Sequence, residues 1–407
     1  MAASSLLLFI LAGCADGPEG IVLNLYKYQE NFFGDVVERC NLEARGAYTI
    51  ATNILPRDAD GQREQLVRRL AAGDEAMDIL GLDVTWVAEF AEAGWILEWT
   101  GAERAAAVAD MLPGPLETMS WEDRIYAVAA NTNVRLLWYR KDLVPDPPET
   151  WDEMIRMAEE LEAAGQPHVI AVTGAQYEGL VVAFNTLLES YGGRLVSEDG
   201  TRAVVDENTV RALRLLERFA TSVGASEALG NSYEADAQAQ MENGYAAFEL
   251  NWPYVWAAMR LNNPRMAENF AFTYYPRVLP DEPARVTTGG LDYAVSAYSR
   301  HPNLAREAIL CLRSKENQKY MSLNAGTPPT YASLYDDPEM QAAYPMLDII
   351  REQLEHAVSR PKTPFYQNVS TVVAAALSPP SEIDPEAVAA RLERDIQNAL
   401  DSKGLLP

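Results

Sequence analysis

Met77-Asp78-Ile79-Leu80-Gly81-Leu82 is an apolar run closed by Asp83 and followed by a helical pattern through Trp86, Phe90 and Ala91. A short run of this kind with a polar stop reads as a buried strand feeding a helix. The same alternation precedes it. Ile21 to Tyr26 reads as a strand, Phe32, Val36, Val37 and Cys40 fall on one helical face, Tyr48 to Thr52 is a second strand, and Gln62 to Ala72 a second helix. Strands alternating with helices predict βαβ units and mostly parallel sheets. A second stretch begins after Asn131-Thr132-Asn133. Thr150 and Glu153 have capping-box spacing, Val169 to Val172 reads as a strand, and Glu178 to Leu188 and Asn208 to Ser222 as amphipathic helices. Beyond Gly289-Gly290-Leu291 comes a strand, Tyr293 to Ser296, and then mainly helix, ending with Pro385 to Leu400. Pro145 to Pro148, Pro328-Pro329 and Pro379-Pro380 punctuate loops. The pattern predicts an α/β protein of two lobes with several crossovers between them.

Length agrees, since 407 residues at about 150 per domain suggest two or three units. The 33 basic and 59 acidic side chains leave a formal charge of −26, which repels phosphate backbones and anionic lipid and argues against a nucleic-acid partner. With three cysteines, and with His168, His301 and His356 far apart and in no HExxH or CxxC pattern, no metal site or cofactor is expected.

At the N-terminus, Ser4 to Ala12 is an apolar run ending in Gly13-Cys14. It is too short for a bilayer core of about 30 Å and has the length of a signal-peptide core. Leu11-Ala12-Gly13-Cys14 resembles the lipobox of bacterial lipoproteins. It predicts a signal over residues 1–14, lipidation of Cys14, a tether over 15–20, and an extracytoplasmic body on the outer face of the cell membrane. A frayed apolar end with a chance cysteine is the plainer alternative. No Lys or Arg precedes the run, which suggests a true start upstream. In an oxidising compartment, Cys40 and Cys311 are then an even pair, and a disulfide is expected over two buried free thiols.

Further motifs point to a family. Trp121-Glu122-Asp123-Arg124-Ile125-Tyr126-Ala127-Val128, Asn131-Thr132-Asn133, Leu137-Trp138-Tyr139 and Lys141-Asp142-Leu143 resemble the stretch by which extracellular solute-binding proteins of carbohydrate ABC importers (family 1) cross between lobes. Pro147 to Met154, Met241 to Phe248 and Asn251-Trp252-Pro253 continue the likeness. Within the family, Leu82-Asp83-Val84, Trp86 to Trp95, Glu178 to Val182, Phe184 to Leu188, Gly289-Gly290-Leu291, Arg360-Pro361, Thr363-Pro364 and Tyr366-Gln367 resemble the trehalose-binding lipoproteins of mycobacterial trehalose-recycling importers. Two departures stand out: Gln29-Glu30 is permuted, and the segment before Ala271 is shorter. The resemblance implies a periplasmic-binding-protein-like fold, a monomer, a disaccharide (trehalose first) held between the lobes, and ABC permease subunits as partners. It places residues 20–132 and 289–327 in lobe 1, residues 133–288 and 328–407 in lobe 2, and hinges near Asn131 to Asn133, Thr288-Gly289 and Gly326 to Pro328.

A disaccharide offers vicinal hydroxyls at its edges and C–H faces, which planar polar side chains and aromatic rings recognise. The resemblance assigns such contacts to Asp83, Asn133, Glu234, Trp252 and Arg360, with Asn131, the Gly289-Gly290-Leu291 backbone, Gln29 and Glu30 beside them. Each has a structural reading too. Asp83 could cap a helix, Asn131 and Asn133 could form turns, and Gly289-Gly290 could be a plain turn. Trp252 could be core and Arg360 a surface ion pair. From the sequence alone a solvated helix-start acid is the stronger reading of Glu234. Maltose or another glucoside is an alternative ligand. A secreted glycoside hydrolase is the alternative of another class, but no spacing of Asp83 and Glu234 suggests paired catalytic carboxylates. A structural or adhesion protein would favour repeats, which are absent.

Overall fold

The computed structural model describes residues 20–403; Cys14, the signal and most of the tether lie outside them. Among these residues eleven strands follow in chain order: β1 (Val22–Lys27), β2 (Thr49–Ile54), β3 (Ile79–Asp83), β4 (Ser120–Trp121), β5 (Arg124–Ile125), β6 (Ala127–Asn133), β7 (Leu136–Arg140), β8 (Val169–Ala171), β9 (Ala246–Asn251), β10 (Phe270–Thr273) and β11 (Gly289–Val295). They form a five-stranded sheet, β2-β1-β3-β11-β6, a four-stranded sheet, β10-β7-β9-β8, and the β4-β5 hairpin. The fold is two α/β lobes, one on each large sheet.

The first sheet shows why the opening motif is so apolar. Ile79, Leu80 and Leu82 of β3 are fully buried, because one core packs on each face. Leu23, Leu25, Ile79 and Tyr293 enter one core, and Leu66, Leu70, Leu80, Leu82 and Phe90 the other. A strand covered on both faces loses polar alternation. The expectation of mostly parallel sheets needs correcting. β1 runs parallel to β2 and β3, but β11 is antiparallel to β3 and β6, and β7 is antiparallel to β9 and β10. The physical reason is connectivity: β11 enters the first sheet from the second lobe, at the end where β3 and β6 leave it.

The second core gathers β7 to β9 with the helices Trp151–Ala163, Glu178–Ser190, Glu207–Ala220, Tyr366–Leu377 and Pro385–Leu400. The capping box forms as spaced, with Glu153 N–H donating to Thr150 Oγ1 at 3.2 Å and Thr150 N–H to Glu153 Oε2 at 3.1 Å. The helices Phe33–Glu43 and Pro302–Leu312 are joined by a Cys40–Cys311 disulfide with the Cα atoms 5.8 Å apart.

Candidate functional site

The candidate residues meet where three strands of the first sheet end together. Asp83 terminates β3, Asn131 and Asn133 terminate β6, and Gly289-Gly290-Leu291 begins β11 between them, with Leu291 paired to both Asp83 and Asn131 and Gly289 to Asn133. Carboxyl ends of strands, where the chain leaves a sheet, are the usual ligand edge of an α/β lobe. A bulge at Leu291/Asp292 interrupts the β11–β6 register, and Asn131 Oδ1 accepts the Leu291 N–H at 3.0 Å. Bulges re-aim side chains at such rims. Asn131 and Asn133 therefore sit in a strand and not in a turn, and Gly289-Gly290 opens a strand. Gly290 needs to be glycine: its φ is 146° and a Cβ would meet Asn131 O at 2.6 Å.

Asp83 is not a helix cap. Its Oδ1 accepts from Thr85 N–H at 3.0 Å and Thr85 Oγ1 at 2.8 Å, shaping the turn ahead of the helix Val87–Glu92. The same oxygen lies 3.1 Å from Arg360 Nη2. Arg360 is buried, so the surface-pair reading fails. Its Nη1 donates to Glu178 Oε1 at 2.6 Å and its Nη2 to the Thr288 carbonyl at 3.4 Å, while its Nε has no partner. Glu178 also accepts from Tyr366 at 2.7 Å and from the Ser370 hydroxyl. Burial raises the Glu178 carboxyl above its ordinary pKa, and the Arg360 guanidinium opposes that rise. Burial likewise works against the charge on Arg360, but Asp83 and Glu178 outweigh it and hold its pKa above the ordinary value.

A second cluster stands wholly on the second lobe. Glu234 opens the helix Glu234–Glu242 but is not a solvated acid: Tyr177 donates to its Oε2, and Arg135 Nη2 lies 3.5 Å from its Oε1. The Arg135 guanidinium lies 4.9 Å from the Trp252 ring centre, a cation–π distance. Tyr233 packs on Tyr177 with ring centres 4.4 Å apart. Asn251, at the end of β9, fixes this arrangement. Its Nδ2 donates to the Glu234 carbonyl at 3.0 Å and its Oδ1 accepts the Trp252 N–H at 2.8 Å. Trp252 is half-buried, with its ring against Gly289, where a Cβ would lie 2.9 Å from Cη2. The aromatic face of one lobe thus rests on the strand end of the other.

The structure therefore brings Asp83, Asn131, Asn133 and Gly289 to Leu291 together at one strand edge, sets Arg360 against Asp83 and the Trp252 ring against Gly289, and ties Glu234 to Trp252 through Arg135. Gln29 is exposed. Glu30 is ion-paired with the fully buried Lys27 and, with Asn131, lines a cavity of about 20 Å³, room for one water. Arg135 and Tyr177 went unnoticed in the sequence, and Glu178 and Tyr366, though within stretches that carry the resemblance, were given no site role. The signal available was a lone charge beside an apolar run, as in Val134-Arg135-Leu136-Leu137 and Glu178-Gly179-Leu180-Val181. Among the described residues no His/Cys/Asp/Glu group is arranged for a metal, and no helix is long and apolar enough to cross a membrane.

Residues 51–319 match the model of a family described as bacterial extracellular solute-binding protein. A probable ABC transporter-binding protein of Deinococcus radiodurans is 27% identical over 337 residues, 79% of each chain. The maltose-bound structure of T. maritima MalE3 superposes with a TM-score of 0.85 at 26% identity, covering 93% of this chain and 99% of that one. The GacH receptor of Streptomyces glaucescens, solved unliganded and with acarbose, shares the fold, with a TM-score of 0.81 at 20% identity over 94% of this chain and all of that one.

Proposed function

Because the chain belongs to the bacterial extracellular solute-binding protein family, we propose that it captures trehalose between its lobes and delivers it to an ABC permease. Proteins of this family work outside the cytoplasm as binding components of ABC transporters and are not enzymes, which sets the hydrolase alternative aside. The observation that carries the ligand class is the pairing of two lobes around sugar-recognition chemistry: Asp83 and the strand ends on one side, Arg360, Glu234 and the Trp252 ring on the other. Charged groups held by fixed partners keep lone pairs and N–H bonds free for hydroxyls, and the half-buried indole offers a face for C–H surfaces.

Trehalose is favoured by the order of Asp83, Asn133, Glu234, Trp252 and Arg360 along the chain, which resembles that of trehalose binders. A second reading, maltose or a related glucoside, is favoured by likeness to the maltose-bound MalE3 structure. Ligand touching both lobes binds the closed form better and shifts the population towards it. The lobes then divide at residues 132/133, 288/289 and 327/328, and lipidation at Cys14 would hold a monomeric protein beside its permease. Calorimetric titration against trehalose, maltose and other disaccharides tests the ligand; maltose bound as tightly as trehalose, or more so, overturns that assignment.

A further inference from the structure

The segment from Arg360 to Gln367 is built into lobe 2 yet reaches lobe 1 at three places. Its lobe-2 footing is firm. Tyr366 and Ser370 hydrogen-bond Glu178, and Val369 and Val373 enter the second core. The Gly200 turn leaves space for the backbone, with the Lys362 carbonyl only 3.2 Å from where a Cβ would stand. Towards lobe 1, Arg360 meets Asp83, with Nη2 3.1 Å from Oδ1. Lys362 Nζ donates to the Glu117 carbonyl at 2.9 Å and to Ser120 Oγ at 3.0 Å. Gln367 Nε2 donates to Asp60 Oδ1 at 3.3 Å. Glu117 and Ser120 flank Met119, which lies in a lobe-1 core, and Asp60 belongs to the helix Ala59–Ala71, whose Leu66 and Leu70 lie in another. Lys362 spends two of its three N–H donors, and Gln367 one of its two, on lobe-1 groups.

We propose that residues 360–367 form a closure strap, in which Lys362 and Gln367 are positioning residues that set how readily the lobes shut without contacting the sugar. A contact made only when the lobes close adds the same free energy to every ligand, whereas a ligand contact discriminates among them. The affinity arm of the test rests on the sugar reading; the scattering arm does not. Lys362 is exposed, so Lys362→Met leaves the cores intact. Its affinity for every sugar bound by the unmutated protein falls by one common factor of about two to five, as for a solvent-accessible charged contact, and Lys362→Arg restores most of it. In small-angle scattering, ligand-free Lys362→Met has a larger radius of gyration than the unmutated protein. An unchanged affinity, or a loss that differs between sugars, overturns the strap. If no sugar in the panel binds the unmutated protein, the sugar reading fails and scattering alone decides: equal dimensions refute the strap, expansion upholds it.

Discussion

Asp292 sits in the middle of the first sheet with its side chain fully buried and neither carboxylate oxygen hydrogen-bonded. Burial pushes its pKa up to about 8. The nearby Thr118 hydroxyl works against that rise, Asp83 adds to it, and Lys362 opposes it. A native carboxyl near 8 and an unfolded one near 3.8 mean that, between these values, the folded state keeps a proton the unfolded state has lost. Stability is then fully present below about pH 4 and is lost as pH rises to about 8, by up to about 1.4 kcal/mol per unit and about 6 kcal/mol in all. Glu249, buried in the second sheet, has one oxygen bonded by Asn251 at 2.7 Å and the other unpartnered; burial takes its pKa to about 8 as well, despite the Asn251 bond. Asp292→Asn keeps the shape and abolishes the titration. Urea unfolding followed by tryptophan fluorescence at pH 5, 6, 7 and 8 should show the unmutated protein weakening steadily with pH, and the variant weakening with a slope shallower by about one proton. Stability that is flat or rising across this window, or an unchanged slope in Asp292→Asn, would refute the reasoning.

Gly289→Ala places a methyl 2.9 Å from the Trp252 ring; the indole must move, and every sugar should bind at least tenfold more weakly, about 1.4 kcal/mol, in calorimetry. Removing Arg135 with Arg135→Met leaves Glu234 without its cation and Trp252 without its cation–π partner; a weakening of about tenfold or more is expected in the same titration, and unaltered affinity would show the cluster to be idle. Cys40→Ser with Cys311→Ser opens a loop spanning 271 positions and should lower unfolding stability by up to about 5 kcal/mol, read by chemical denaturation. Cys14→Ala should release protein to the medium or leave unprocessed precursor; normal maturation and membrane retention would rule out lipidation there.

What could be read in the sequence was what is local. The strands around Leu25 and Leu80 declare themselves because both faces are largely buried, the edge strand around Ile50 does so by its β-branched residues, and Thr150 with Glu153 closes a cap within four residues. The antiparallel strand β11 was half visible: Tyr293 to Ser296 carries β-forming residues, but Gly289-Gly290 reads as a turn, because the close approach of Trp252 and Asn131 that demands glycine comes from elsewhere in the fold. The charged cluster was hidden for the same reason. Arg360 and Glu178 are 182 positions apart, so neither has a local pattern that names its partner. Resemblance assigned roles to Asp83, Trp252 and Arg360; Glu178 and Tyr366, which hold candidate residues in place, lay in stretches that carry the likeness but drew no role, and Arg135 lay outside them.

The position of β11 also sets a timetable. The gap between β3 and β6 is filled by a strand made only after residues 134–288, the bulk of the other lobe, have been synthesised. At about 5–20 residues per second that interval is on the order of ten seconds or more, during which β3 has an unsatisfied edge. Helix Pro302–Leu312, which carries Cys311, arrives later still. Lobe 1 therefore cannot complete itself until these residues have been made, and such long-range pairing is slow. A chain meant to pass through a membrane pore before folding gains time from this, since its first domain stays threadable until nearly all of it has been delivered.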